Sequence, residues 1–145
     1  MISTHMMVDD ELTGAYESYH RAMGLLETGD SHAAAIILEE LRSSEPNSQS
    51  ILEACARALF DSNRFDSARE AFEELLAISP DNDYAHFGLG LALWRLQQFV
   101  DARDELAMAF VMRPDRPEYA TALAQVKATL RARVAEQLPL NGDLQ

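Results

Sequence analysis

The 145-residue sequence has few of the residues on which several kinds of protein chemistry depend. It contains one cysteine, Cys55, so no disulfide can form within the chain, and a reducing compartment is favoured. It has no apolar run near the ~18 residues that a membrane span needs, and its start lacks the basic and apolar regions of a signal peptide. We therefore expect a cytoplasmic protein in which Cys55 is a small core residue.

Basic residues are also scarce. The chain has 12 Lys and Arg against 24 Asp and Glu, which gives a formal net charge of −12. Residues 1–80 carry 15 acidic and 5 basic residues, so they hold about −10 of that total. Such a charge is repelled by phosphate backbones and by anionic lipid surfaces. The composition therefore argues against nucleic acid or a membrane as the main partner.

Motifs that carry catalysis or bind metals are absent from the sequence as well. There is no glycine-rich phosphate loop, no HExxH and no pair of cysteines. The internal histidines His20, His32 and His86 lack ligand-like spacing, and acidic pairs such as Glu39-Glu40 recur with a period typical of a solvated outer face. We predict no enzymatic activity, no cofactor and no metal site.

A period of 34 residues organises the rest of the sequence. Three sets of residues that coincide under this shift are small residues or prolines: Ala22, Ala56 and Gly90; Ala34, Ala68 and Ala102; Pro46, Pro80 and Pro114. In each unit two apolar helical patterns flank a turn, and the proline ends the second. The sequence therefore predicts pairs of antiparallel helices that cross at small residues.

This pattern resembles the tetratricopeptide repeat (TPR) family, and small uncharacterised bacterial members of it in particular. The family has a small residue at position 8, alanine at 20, a bulky apolar residue at 24 and proline at 32. The matching residues are Ala56, Ala68, Phe72 and Pro80 in the second unit, and Gly90, Ala102, Leu106 and Pro114 in the third. The resemblance implies an all-α fold, a right-handed superhelical solenoid of helix-turn-helix units.

The same resemblance sets the expected domain organisation. A single TPR domain would span residues 11–137, with repeats at about 15–48, 49–82 and 83–116 and a capping helix at about 117–137. Residues 1–10 are expected to be a disordered leader that includes a remnant of cloning, and residues 138–145 a flexible tail. The first repeat departs most from the pattern, because Arg21 stands where leucine is usual.

In this family the partner usually lies along a concave groove lined by the first helix of each repeat. The resemblance implies a partner-binding groove of Tyr19, Met23, Leu26, Glu53, Arg57, Phe60, Tyr84, Phe87, Gly88, Leu91, Trp94 and Arg95. Within it, Gly88 is predicted to form the floor of a pocket walled by Phe87, Leu91 and Trp94. The alternative is that the N-terminal arm or the capping helix covers this apolar stripe, which would then belong to the core.

Repeat domains that capture the C-terminal carboxylates of heat-shock chaperones resemble one another in a clamp of lysine, asparagine and arginine. The corresponding residues here are Tyr19, Met23, Ala54, Tyr84 and Gly88. A charged C-terminal tail is therefore not the expected ligand.

The resemblance implies a scaffold or adaptor that holds an apolar or amphipathic segment of a partner protein in the groove. Two alternatives stay open. Size, acidity and repeat count are similar to those of chaperones for type III secretion translocators. The chain could also be a structural TPR protein that associates with itself, for example as a homodimer.

Overall fold

The computed structural model describes residues 2–142, with side chains from residue 14 onward. Between residues 2 and 142 the chain is helical with short turns and contains no strand. The helices are α1 (Ile2–Glu27), α2 (Ser31–Ser44), α3 (Gln49–Asp61), α4 (Phe65–Ile78), α5 (Asp83–Arg95), α6 (Phe99–Met112) and α7 (Pro117–Ala135). None of these described helices combines the length and apolarity needed to cross a bilayer.

The helices form two rows. Each helix packs against the next one along the chain, and α1, α3, α5 and α7 also touch one another in sequence. Within the described chain the even-numbered helices make no such contacts with each other, so they are spread over the outer face. The odd-numbered helices therefore make the inner, concave row of an all-α helical repeat.

The turn inside each repeat has the same backbone conformation. Gly29, Asn63 and Gln97 have positive φ angles of 89°, 65° and 61°, at the 34-residue spacing. This left-handed region is easiest for glycine and asparagine to adopt, and it ends a helix sharply. Each second helix then has its C-cap residue immediately before one of the three repeated prolines.

Small residues lie where the two helices of a repeat cross, as the sequence predicts. Ala22 and Ala56, and their partners in the second helices, have no exposed surface. At Gly90 an added Cβ would lie 2.6 Å from Cγ of Leu106, so α5 approaches α6 more closely than alanine allows. The prediction that Gly90 is a helix-crossing residue is confirmed.

Gly88 is buried as well, but it faces a different helix. A Cβ built on Gly88 would overlap the ring of Phe72, which lies on α4 and is only 1% exposed. The ring of Phe72 fills the space that a side chain at position 88 would take. The prediction that Gly88 forms the floor of an open pocket is therefore wrong, since it packs the second repeat against the third.

The ends of the array are polar at positions that are apolar in the inner repeats. Arg21 is exposed, and the equivalent residues Cys55 and Leu89 are buried. On α7, Lys127 is exposed where the equivalent Leu93 is buried. Within residues 2–142 no helix covers these end positions, so apolar side chains there would leave hydrophobic surface in water. This explains why the first repeat departs from the family pattern.

The described chain extends into both segments that were expected to be disordered. The backbone of the predicted leader is helical from Ile2, whereas Met1 and residues 143–145 lie outside the described residues. Residues 138–142 of the predicted tail turn back to the start of α6. There Asn141 Oδ1 accepts a hydrogen bond from Val100 N at 3.1 Å, and Gly142 N donates to Gln97 O at 2.8 Å. Asn141 thus caps a helix whose own N-cap residue makes no side-chain hydrogen bond.

The contrast between two helical glycines can be tested. Gly88→Ala should destabilise the protein by about 1–3 kcal/mol, because the new methyl group overlaps the buried ring of Phe72 and forces it to shift. Gly24→Ala on α1 is the matched control, since nothing lies within 4 Å of its added Cβ. That change should stabilise the protein by up to about 1 kcal/mol through helix propensity. Urea unfolding of both variants measures the difference, and equal shifts would contradict the packing assigned to Gly88.

Candidate functional site

A cavity of about 490 Å³ opens on the inner row of helices, between α1, α3 and the start of α5. We call it the groove cavity. It is lined by Tyr19, Met23, Gln49, Ser50, Glu53, Ala54, Arg57 and Tyr84. Five of these residues, Tyr19, Met23, Glu53, Arg57 and Tyr84, belong to the predicted partner-binding set. The fold therefore brings side chains from all three repeats to one concave site.

Aromatic packing fixes one wall of the groove cavity. The Tyr84 ring meets Phe72 edge to face, with centroids 6.1 Å apart and planes at 63°. Phe72 is itself fixed against Gly88, so the position of Tyr84 follows from the packing between repeats. Burial raises the pKa of the Tyr84 hydroxyl, which keeps the phenol neutral. This wall offers a ligand an aromatic face and an uncharged hydroxyl group.

The charged side chains of the groove cavity are held in different ways. Asn82 Nδ2 donates to Glu53 Oε2 at 3.2 Å, and Asn82 Oδ1 accepts from Ala85 N at 3.0 Å as the N-cap of α5. Arg57 Nε lies 3.6 Å from Asp61 Oδ2, one turn further along α3. Arg57 therefore has Asp61 as its ion-pair partner. No ion pair among the described side chains includes Glu53.

A second cavity of about 280 Å³ lies beside the first, and we call it the outer cavity. Its lining residues are Ala15, Tyr16, Tyr19, Glu45, Ser48, Ser50 and Ile51. Tyr19 and Ser50 line both cavities, so the two cavities adjoin at these residues. The sequence prediction missed Tyr16, Glu45 and Gln49. Glu45 is the C-cap residue of α2, the second helix of its repeat, so the family's first-helix groove positions do not include it.

The apolar stripe of the third repeat is packed against the rest of the chain. The Phe87 ring stacks on Tyr119 of α7, with centroids 4.6 Å apart and planes at 32°. Trp94 meets Phe99 of α6 edge to face at 5.3 Å, and Leu91 is half-buried. Helix α7 thus packs on Phe87, which is half-buried. None of these three residues lines the groove cavity.

The remaining predicted groove residues also take part in packing. Leu26 is 5% exposed and belongs to the hydrophobic core, so its predicted place in the groove is wrong. It lies in the last turn of α1, where the chain turns towards α2. Phe60 packs edge to face on Phe65, with ring centroids 5.2 Å apart. The guanidinium of Arg95 lies 4.5 Å from the centre of the Phe65 ring.

Titratable side chains outside the groove have structural partners. His86 Nδ1 lies 2.7 Å from Glu105 Oε2, and His86 Nε2 lies 2.9 Å from the carbonyl oxygen of Pro80. Cys55 is fully buried, and burial raises the pKa of its thiol, which disfavours the reactive thiolate. From residue 14 to residue 142, no group of three His, Cys, Asp or Glu side chains is placed to hold a metal ion.

Comparison with known families agrees with the repeat architecture. Two family models, each described as "Tetratricopeptide repeat", match residues 19–83 and 59–126, and together they span most of the chain. The chain belongs to the tetratricopeptide repeat family. A search of curated proteins found no significant match.

Solved TPR structures have the same fold at low sequence identity. The Sgt2 TPR domain from Aspergillus fumigatus gives a TM-score of 0.78 at 16% identity, over 91% of this chain and 89% of that one. The first TPR of Spaghetti (RPAP3), bound to the HSP90 peptide SRMEEVD, gives 0.76 at 17% identity, over 81% of this chain and 93% of that one. MamA from Desulfovibrio magneticus RS-1 gives a TM-score of 0.75 at 19% identity, over 79% of this chain and 64% of that one. At these identities the likeness shows the fold alone.

The contact between α7 and the third repeat predicts a dependence of stability on pH. Tyr119 is 2% exposed and its hydroxyl donates to Asp83 Oδ2 at 2.7 Å. Burial and this hydrogen bond raise the pKa of Tyr119 above its ordinary value. Tyr119→Phe keeps the ring against Phe87 and removes the hydrogen bond, so it should cost about 0.5–1.5 kcal/mol at neutral pH.

Above about pH 10, the unfolded chain loses the Tyr119 proton while the folded chain keeps it. The folded state then binds more protons, so the stability contributed by this hydroxyl is lost as the pH rises. Urea unfolding at about pH 7 and pH 11 measures the free energy of unfolding of the wild type and of Tyr119→Phe. The difference between the two proteins should be smaller at the higher pH. A constant gap would contradict the hydrogen bond from a buried hydroxyl.

Proposed function

We propose that this protein is a protein–protein interaction scaffold that binds an apolar or amphipathic segment of a partner protein in the groove cavity. The observation that carries the proposal is a concave cavity of about 490 Å³ with Tyr19, Met23, Ala54 and Tyr84 in its walls. Its volume lies within the range of about 300–1,000 Å³ that is usual for ligand sites.

The chemistry of the walls suits a protein segment. Tyrosine combines a large apolar ring with a polar tip, and it is common among residues that dominate binding energy. Methionine is flexible, so Met23 can adapt to anchors of different shape. The ends of the array carry Arg21 and Lys127 in place of apolar side chains, which favours the groove over the ends as the binding surface.

The ligand seen on a structural neighbour differs from the one proposed here. The first TPR of Spaghetti (RPAP3) is bound to an HSP90 peptide whose last residues are Glu-Glu-Val-Asp. The resemblance drawn above places Tyr19, Met23, Ala54, Tyr84 and Gly88 at the positions where carboxylate-binding members have their clamp of lysine, asparagine and arginine. We therefore propose that the groove selects an apolar anchor on its ligand instead of a terminal carboxylate.

A pair of methionines allows a matched test. Met23 lines the groove cavity, whereas Met108 is 46% exposed on α6, on the outer row. A phage-displayed library of random dodecapeptides would be selected on the wild type, and the enriched peptides synthesised. Met23→Asp places a charge in an apolar wall and should weaken their binding more than tenfold. Met108→Asp should leave binding unchanged.

Circular dichroism and urea unfolding would establish that both variants are folded, and fluorescence anisotropy would measure the affinities. Two results would contradict the proposal. One is a selection that enriches no peptides on the wild type. The other is a set of enriched peptides that binds folded Met23→Asp as tightly as the wild type.

A further inference from the structure

We infer that the segment bound in the groove carries a lysine or arginine next to its apolar anchor, and that Glu53 is the residue that recognises this charge. The inference rests on the proposed function and specifies the ligand of the same site. It follows from the arrangement of charges in and around the two cavities.

Glu53 is a fixed carboxylate that forms no ion pair with any of the side chains described from residue 14 onward. Its side chain lines the same cavity as Tyr19 and Met23. The hydrogen bond from Asn82 holds one of its oxygens, and Asn82 is held in turn as the N-cap of α5. The cation in this cavity is Arg57, which is paired with Asp61. A basic ligand side chain would therefore meet a carboxylate that is already oriented.

The outer cavity, which shares Tyr19 with the groove cavity, repeats this combination. There Glu45 lines a space whose walls include Tyr16 and Ile51. None of the ion pairs formed by the side chains of residues 14–142 includes Glu45. A segment that crosses Tyr19 would thus find an apolar wall beside a carboxylate in both cavities.

The wider charge distribution favours the same ligand. The groove cavity is built mainly from α1 and α3, which lie within the part of the chain that holds about −10 of the net charge of −12. A negative surface speeds the approach of a basic segment and slows that of an acidic one. Close to Glu53, a partly desolvated cavity strengthens a charge-assisted hydrogen bond, whereas a second carboxylate there would be repelled.

The test compares library selections on charge variants. Random dodecapeptides would be selected on the wild type, Glu53→Gln, Glu53→Lys and Glu70→Lys. Glu70 is an exposed carboxylate on α4 and lines neither the groove cavity nor the outer cavity. Glu70→Lys is the matched control, because it gives the same change of net charge as Glu53→Lys. We expect Lys and Arg to be enriched severalfold within three positions of the apolar anchor on the wild type and on Glu70→Lys. Glu53→Gln should abolish this enrichment, and Glu53→Lys should replace it with Asp and Glu.

A second measurement isolates the contact between Glu53 and the basic residue of the peptide. The best wild-type peptide would be synthesised with its basic residue and with methionine in that place, and both would be titrated by fluorescence anisotropy. Loss of the basic residue should weaken binding to the wild type about tenfold and binding to Glu53→Gln less than twofold.

The outcomes separate this inference from the function on which it rests. Peptides that depend on Met23 but show no preference for Lys or Arg would overturn the inference and leave the groove as the binding site. A basic preference that survives in Glu53→Gln would also overturn it, since the preference would then arise elsewhere. Failure to enrich any peptide on the wild type would overturn both proposals.

Discussion

The packing of Phe72 against Gly88 is the constraint on which the shape of the concave face depends. Because position 88 has no side chain, the ring of Phe72 occupies the space beside the α5 backbone. The same ring meets the edge of Tyr84, which walls the groove cavity. A larger residue at 88 would displace Phe72 and, with it, the wall against which a ligand would bind. The cost of a glycine inside a helix is thus offset by a contact that joins two repeats and positions the site.

The ends of the array carry polar side chains, which fits the concave face as the surface that we propose for binding. Inner repeats bury Cys55, Leu89 and Leu93 against neighbouring helices, whereas the end positions carry Arg21 and Lys127. Polar side chains on the outer face of the terminal repeats keep a repeat array soluble. Within the described chain, the third repeat is covered further by Tyr119 of α7, which stacks on Phe87. The concave face consequently stays open mainly over the first two repeats and the start of the third.

The sequence was sufficient to predict the fold but only part of the site. The 34-residue register depends on local requirements, such as a small residue at a helix crossing, and therefore it located Gly90 and the repeated turns correctly. The same register assigned a face to each first-helix residue but not its depth. Depth depends on neighbouring side chains: Phe72 buries Gly88, and Tyr119 covers Phe87. Phe72 stood in the family pattern as the bulky residue at position 24, so a cross-repeat comparison with Gly88 was the available signal.

The electrostatics of the groove are tied to the same local requirements that form the helices. Asn82 begins α5 by accepting a hydrogen bond from Ala85 N, and its amide nitrogen is then free to hold Glu53 on α3. A single capping residue therefore connects the start of one repeat to the charge presented by the preceding one. Arg57, one turn after Glu53, is drawn away by Asp61 on its own helix. Of the two charged residues that line the cavity, Arg57 thus has an ion-pair partner on its own helix, whereas Glu53 is held by the amide of Asn82.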